Sequence, residues 1–332
     1  MEGRAVYFVA PERVEVRDRD VPAPGPEEVR VRTLTSAVSS GTERLVYRGE
    51  APTDLAADES IAALDGDLSF PLRYGYAAVG EIEAVGDDVP DSRLGSRVFA
   101  FNPHESRFLA SPSELIAIPD DVPDERAALL PTMETALNFV MDGRPLIGEH
   151  VVVFGQGVVG LVTTALLASF PLGSLTAVDC VAERRGIAEA LGADEAVHPE
   201  SLDAPADGAD LTLELSGDPD ALDDALSVTR YDGRVVVGSW YGTKPATLDL
   251  GGRFHRSRIS VESSQVSTID PDLRGRWDAD RRFSLAWDHL EDLPLDPLVT
   301  HRIDVESAAR AYRLLEDAPD EAVQILFTYR NA

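Results

Sequence analysis

Three glycines, Gly155, Gly157 and Gly160, follow the apolar run Val151-Val-Val-Phe154 and open a stretch of small apolar residues with helical spacing. Each has a mechanical job if a dinucleotide binds there. Gly155 permits a tight turn out of a strand. Gly157, lacking a Cβ, lets the backbone approach a pyrophosphate. Gly160 lets the following helix pack close to the strand. Gln156, Val158 and Val159 complete the loop, and the helix start adds free N–H groups and the positive end of its dipole. Asp179 closes the next apolar run, where a carboxylate accepts hydrogen bonds from ribose hydroxyls and repels a 2′-phosphate. The expectation is a nicotinamide dinucleotide site that favours NAD(H) over NADP(H). Arg184 is a further candidate contact, and Arg184-Arg185 would receive the extra phosphate if NADP(H) were preferred.

The elements around this motif are legible from periodicity. The first ~120 residues alternate apolar and polar positions between turn residues, as in Val29-Arg-Val-Arg-Thr-Leu, and read as mostly β. From Asp124 the pattern turns helical and then alternates. Strands are expected at Val151–Phe154, Ser174–Val178, Asp210–Glu214 and Arg234–Gly238. Helices are expected at Val158–Phe170, Ala182–Leu191 and Pro219–Val228. Such alternation means parallel βαβ units. The fold class is therefore α/β: a β-rich part, a Rossmann-type doubly wound parallel sheet, and a tail holding an amphipathic helix, Glu306–Leu315, and a strand, Val323–Tyr329. The tail is too small for its own core, so it is expected to rejoin the β-rich part. The division is 1–122 with 288–332 for a discontinuous catalytic domain and 123–287 for the dinucleotide-binding domain, with the active site in a cleft between them.

Composition narrows the partners. Against 59 Asp+Glu stand 30 Lys+Arg, for a net charge of −29, and Lys244 is the one lysine. Such a surface repels nucleic acid and anionic membranes. Self-repulsion of this size is relieved by salt, since the Debye length falls to about 3 Å at 1 M, so the chain reads as a halophilic protein. A single cysteine, Cys180, excludes an intrachain disulfide and a cysteine-based zinc lobe. The amino terminus has no signal-peptide layout, and the uncharged Val151–Val178 stretch is broken by glycines and Pro171, so a cytoplasmic location is expected.

Several stretches together resemble the medium-chain dehydrogenase/reductase superfamily over essentially the whole length. They are Gly75-Tyr-Ala-Ala-Val-Gly-Glu-Ile-Glu-Ala-Val-Gly86, Gly95-Ser-Arg-Val98, Gly155 to Gly160, Leu191-Gly-Ala193, Leu215-Ser-Gly217 and Gly233-Arg-Val-Val-Val-Gly238. Ser40-Gly-Thr-Glu-Arg44, Tyr47-Arg-Gly49 and Gly75-Tyr76 are most similar to the branch containing the bacteriochlorophyllide hydroxyethyl dehydrogenase. The resemblance implies a GroES-like catalytic domain beside the Rossmann domain, a homodimer or homotetramer, and a contact edge around Ile259-Ser-Val261. It also exposes departures. By motif position Ser40 replaces the zinc-ligand cysteine, Tyr76 the histidine and Ala77 the glutamate. A hydroxyl and a phenol are poor zinc ligands beside thiolate and imidazole, so no catalytic or structural zinc is expected.

Without zinc, hydride transfer still needs the substrate oxygen held, polarised and supplied with a proton. Thr42 aligns with the family's proton-relaying hydroxyl, against the plainer possibility of a turn or cap. Tyr76 offers a phenolic O–H, or an aromatic wall. Glu43 stands where the family has an acid behind the metal, and is equally readable as a paired carboxylate. His104, in Phe99-Ala-Phe-Asn-Pro-His-Glu105, suits proton shuttling. Glu134 begins the helix that the resemblance places beside the nicotinamide, though a first-turn Glu also suits the helix dipole. A metal rebuilt from His104, Glu134 and Glu43 is the remaining route to a metal site. Ser40, Tyr47, Trp240 and Arg256 complete the expected substrate pocket; Arg256 belongs to the cationic group Arg253, His255, Arg256 and Arg258.

These features point to a zinc-independent, NAD(H)-preferring oxidoreductase acting on a secondary alcohol or ketone. An enoyl or quinone reductase is the second enzyme reading, distinguished by consumption of a conjugated carbonyl. A catalytically silent nicotinamide-binding protein is the third, distinguished by cofactor binding without turnover.

Overall fold

The computed structural model describes residues 2–58, 61, 63–203 and 206–329. Two compact units divide it: Met1–Pro131 with Leu298–Ala332, and Thr132–Pro297. The outermost residues of the expected division, 1 and 330–332, lie outside the described residues.

The first unit opens with a hairpin of β1 (Glu2–Ala10) and β2 (Arg13–Asp20). Then come β3 (Val29–Ala37), helix α1 (Thr42–Arg48), β4 (Ala78–Val85), β5 (Arg97–Ala100), β6 (Arg107–Ala110), β7 (Leu115–Ala117) and the short α2 (Asp124–Ala127). β3 alternates Val29, Val31 and Thr33 inward against half-buried arginines, the period-2 signature of a strand with one core face. Val29, Val31, Ile82 and Val98 pack together from β3, β4 and β5.

The chain then builds the second unit. Its elements are α3 (Leu130–Gly143), β8 (His150–Phe154), α4 (Val158–Leu167), β9 (Ser174–Val178), α5 (Ala182–Ala190), β10 (Glu195–Val197), β11 (Ala209–Glu214), α6 (Pro219–Val228), β12 (Thr229–Val237), β13 (Ser260–Ser263) and α7 (Ala279–Asp292). Among the described residues its sheet is six-stranded and all parallel, in the order β10-β9-β8-β11-β12-β13. The order reverses between β8 and β11, which makes their carboxyl ends the topological switch point where doubly wound sheets bind ligands. Four residues of β8 and four of β9 are buried, as continuous apolar runs of central parallel strands should be. α4 is uncharged because nine of its residues are buried; no described helix is long and apolar enough to cross a membrane.

Finally the chain returns to the first unit as β14 (Val299–Asp304), α8 (Ala308–Asp317) and β15 (Gln324–Thr328). β15 joins β3 antiparallel and β14 parallel, so the tail completes the first unit's sheet as expected. Tyr312 of α8 and Phe327 of β15 share a core with Phe8, Val46 and Ile303.

The unit boundaries fall later than the sequence suggested, at Pro131/Thr132 and Pro297/Leu298. α2 is tied to the first unit: Arg97 donates to Asp124 and to the Val122 carbonyl, and Arg302 pairs with Glu125. α7 is tied to the second: its buried Arg282 pairs with Glu134 at 2.7 Å. β12 also starts earlier than expected, because the Arg-Tyr-Asp-Gly stretch stays within the strand across a register shift rather than forming a separate turn; Asp232 there takes φ 58°. β13 is an edge strand at the position expected around Ile259-Ser-Val261, although all four of its residues are exposed and show no apolar alternation.

Candidate active-site residues and cofactor loop

In the first unit a hydroxyl cluster forms where β3 ends and α1 begins. Tyr76 donates its phenolic O–H to Ser39 Oγ at 2.5 Å and lies 3.4 Å from Thr42 Oγ1. Burial, ahead of every other cause, pushes the Tyr76 phenol above its ordinary value, so it stays a neutral donor at neutral pH. Thr42 and Tyr76 are thus brought together as expected. Ser39 was missed: motif spacing pointed to Ser40, which is half-buried beside Gly41, whereas the hydroxyl in the cluster belongs to its neighbour.

Behind the cluster is a buried polar network. Glu43 is fully enclosed; its carboxylate accepts from the Ser39 N–H at 2.7 Å, the Tyr312 hydroxyl at 2.7 Å and His104 Nε2 at 3.1 Å. His104, also fully enclosed, meets Ser36 Oγ through Nδ1 at 2.7 Å, and Ser36 meets the Tyr329 hydroxyl at 2.7 Å. The His104 ring lies where a Cβ on Gly75 would be, 2.6 Å away, so Gly75 makes room for it. Neither Glu43 nor His104 lines an open surface, which corrects the expectation that His104 is a cleft residue. Both ring nitrogens and the carboxylate already have partners.

Tyr47 needs a similar correction. It is 5% exposed, stacked on Tyr312 at 5.6 Å between ring centroids, and belongs to the apolar core rather than to a substrate pocket. Its phenol is pushed up chiefly by burial.

In the second unit the glycine loop has the geometry its spacing demanded. Gly155 takes φ +85°, and a Cβ there would lie 2.4 Å from Ser216 Cα. A Cβ on Gly160 would lie 1.8 Å from the Gly155 carbonyl oxygen. A Cβ on Gly157 would meet nothing within 4 Å, so open space lies over the middle of the loop. The start of α4 has the unpaired N–H groups of any helix end, aimed at that space. A dinucleotide's pyrophosphate fits this cradle. Val158 and Val159 supply that first turn through their backbone. Gln156 belongs to the loop through its backbone: its fully buried side chain turns inward to the Val153 carbonyl and Thr164.

Asp179 stands at the end of β9, with its carboxylate accepting from the backbone N–H of Gln156 at 2.7 Å and of Val181 at 2.8 Å. Two bonds leave lone pairs on both oxygens. Arg184 is half-buried on α5, while its neighbour Arg185 donates to the carbonyls of Asp179 and Cys180.

Glu134 is not an available acid or base. Arg282 Nη2 donates to it at 2.7 Å, while the same guanidinium reaches Asn138 and the Val266 carbonyl. Burial pushes the carboxyl up and Arg282 opposes that. Arg256 is exposed in a segment anchored at the amino ends of the strands: Arg253 donates to the Thr229 carbonyl, and Ser257 accepts from Asp232. That is the opposite edge of the sheet from the glycine loop, so Arg256 leaves the expected substrate pocket. Trp240, 38% exposed, does lie just beyond the carboxyl end of β12. Among the described residues no three His, Cys, Asp or Glu side chains are grouped to hold a metal ion.

Comparison with known proteins agrees with this geometry. The family model of zinc-binding dehydrogenases matches residues 158–281. D-guloside 3-dehydrogenase of Escherichia coli (strain K12) is 26% identical, covering 95% of this chain and 96% of its own. The 2-desacetyl-2-hydroxyethyl bacteriochlorophyllide A dehydrogenase of Cereibacter sphaeroides is 25% identical over 98% of each. These matches make the chain similar to the zinc-type medium-chain dehydrogenase superfamily over nearly its whole length. Solved structures share the fold of that superfamily. One, an alcohol dehydrogenase from E. coli CFT073 complexed with NADH, superposes with a TM-score of 0.79 at 20% identity, covering 99% of each chain. Another, a zinc-binding dehydrogenase from Sinorhizobium meliloti 1021 bound to NADP, gives 0.75 at 19%, again covering 99% of each.

Proposed function

We propose that this protein is an NAD(H)-preferring dehydrogenase that oxidises a secondary alcohol, or reduces the matching ketone, without catalytic zinc. The nicotinamide-dependent oxidoreductase class is supported by the family match and by the dehydrogenase relatives. The finer reading is carried by one observation: at the positions of the superfamily's metal ligands and relay hydroxyl this chain has Ser40, Tyr76 and Thr42, with Tyr76 bonded to Ser39 and beside Thr42. Neutral hydroxyls are weak donors to zinc, and His104, the one imidazole close to them, is committed to Ser36 and Glu43. Hydroxyls can do the remaining work themselves.

When bound, the nicotinamide accepts the hydride in oxidation and returns it in reduction. Tyr76 and Thr42 hold the substrate oxygen by hydrogen bonds, and the raised phenol keeps its proton available as charge develops on that oxygen. In the free site Ser39 Oγ accepts the single Tyr76 O–H; on binding, that proton turns to the substrate oxygen and the Ser39 hydroxyl donates to the phenol oxygen in its place. Asp179 supports the preference for NAD(H), because a carboxylate at the end of the second strand repels a 2′-phosphate. The guloside relative makes a secondary hydroxyl of a sugar or polyol the first substrate class to screen. We read the exposed edge strand β13 as the contact of a homodimer or homotetramer and the −29 charge as adaptation to a salt-rich cytoplasm.

Fluorescence titration with NADH and NADPH in molar salt, with zinc content measured on the same sample, tests the reading. Tighter NADH binding on zinc-free protein that oxidises polyols supports it. Activity that requires stoichiometric zinc overturns the metal-free part.

A further inference from the structure

Lys244 is the single lysine of a chain with 59 acidic residues. Its ammonium donates to the Gly217 carbonyl at 2.5 Å, and no described carboxylate lies within ion-pair distance of it. An ammonium carries three N–H donors, so two remain. Arg185 and Arg253 likewise bond to carbonyls rather than carboxylates; what distinguishes Lys244 is its position.

Gly217 belongs to the segment that leaves β11. Its neighbour Ser216 abuts Gly155, and the Leu215 N–H donates to the Phe154 carbonyl at 2.8 Å. The segment therefore flanks the glycine loop at the switch point between β8 and β11. The loop leaving β12 is stitched to the end of β11 and to this segment. The Gly238 N–H and Ser239 Oγ donate to the Glu214 carbonyl, and Gly217 N–H donates to Ser239 Oγ at 2.8 Å. The Tyr241 hydroxyl donates to the buried Glu214 carboxylate, and Lys244 adds its bond to the Gly217 carbonyl. These bonds fix the ammonium on the segment that abuts Gly155 of the glycine loop, beyond the carboxyl end of β11. A helix dipole supplies only about half a positive charge, whereas a diphosphate brings two negative charges into a strongly acidic surround.

We propose that Lys244 is the cation that faces the diphosphate of the bound nicotinamide dinucleotide. The assignment rests on the cofactor reading above. Lys244 supplies the charge and the glycine loop supplies the shape. It is a binding residue and takes no part in proton transfer.

Having one lysine makes the test direct. Holoprotein and apoprotein are acetylated with an amine-selective reagent, and the Lys244 peptide is quantified by mass spectrometry against the amino terminus. NADH is expected to protect Lys244, while adenosine, which lacks phosphate, is not. In titrations, K244Q is expected to weaken NADH binding by about tenfold or more, the size of one charge-assisted hydrogen bond, with K244R nearer wild type and adenosine binding unchanged in both. Equal weakening of adenosine and NADH would reassign Lys244 to holding the loop and overturn the proposal. So would wild-type NADH affinity in K244Q, with the cofactor reading intact. Failure of the unsubstituted protein to bind either NADH or NADPH would overturn both.

Discussion

His104 Nε2 lies 3.1 Å from the Glu43 carboxylate, and neither side chain is reached by solvent. This pair sits directly behind the hydroxyl cluster, because Glu43 also holds the Ser39 N–H and Ser39 Oγ receives the Tyr76 phenol. A polar network in the first unit's core thus sets the orientation of groups with which it shares no chemistry.

Removing the hub should be costly. E43A leaves the Tyr312 hydroxyl, the Ser39 N–H and His104 Nε2 without their partner in the core. A loss of about 3–5 kcal/mol is expected, as for other broken buried pairs, and urea denaturation in molar salt measures it. A change below about 1 kcal/mol would mean that water replaces the carboxylate.

Tyr76→Phe should lower kcat by about 10²–10⁴-fold, the usual worth of a positioned proton donor, with NADH affinity within about twofold because the cofactor loop belongs to the other unit. Steady-state kinetics paired with cofactor titration separates the two effects. Full activity in this variant would return Tyr76 to the role of an aromatic wall.

The pH dependence has a definite sign. Burial moves the Tyr76 phenol above the ordinary value of about 10, so the O–H form persists through the mildly alkaline range. Ketone reduction should therefore show no loss from phenol ionisation as pH rises toward about 10. A descending limb near pH 8–9 that disappears in Tyr76→Phe would contradict the raised phenol.

Asp179→Ser should reduce discrimination against NADPH. It removes the charge that repels a 2′-phosphate while leaving a hydroxyl for ribose. It also removes the carboxylate that ties Gln156 to Val181, so some loss of NADH affinity should accompany the change. An unchanged NADH-to-NADPH affinity ratio would place the discrimination elsewhere.

Salt should stabilise the protein. With a net charge of −29, repulsion between surface carboxylates is screened as the Debye length shrinks from about 10 Å at 0.1 M to about 3 Å at 1 M. The Tm is expected to climb across that range in calorimetry. A flat or falling Tm would count against the halophilic reading.

The primary structure by itself determined four strands (β8, β9, β11 and β12) and three helices (α4, α5 and α6) of the second unit, but not β10 or α7. Ser174–Val178 and Pro219–Val228 are where periodicity put them, because buried parallel strands and capped helices write their pattern locally. The glycine loop was equally legible, since each glycine answers a local steric demand. The first unit's site was only half legible. Motif spacing found Thr42 and Tyr76, but partnership is decided by distance in three dimensions. That distance chose Ser39 over Ser40, buried His104, Glu43 and Tyr47 in the core, gave Glu134 to Arg282, and moved Arg256 to the far edge of its sheet. The unit boundaries followed the same rule, because Arg97 and Arg282 reach across long sequence separations to claim α2 and α7. Backbone preference and apolar period are properties of neighbours in the chain. Whether a polar side chain is a tool or a brace depends on which other side chain folding brings to it.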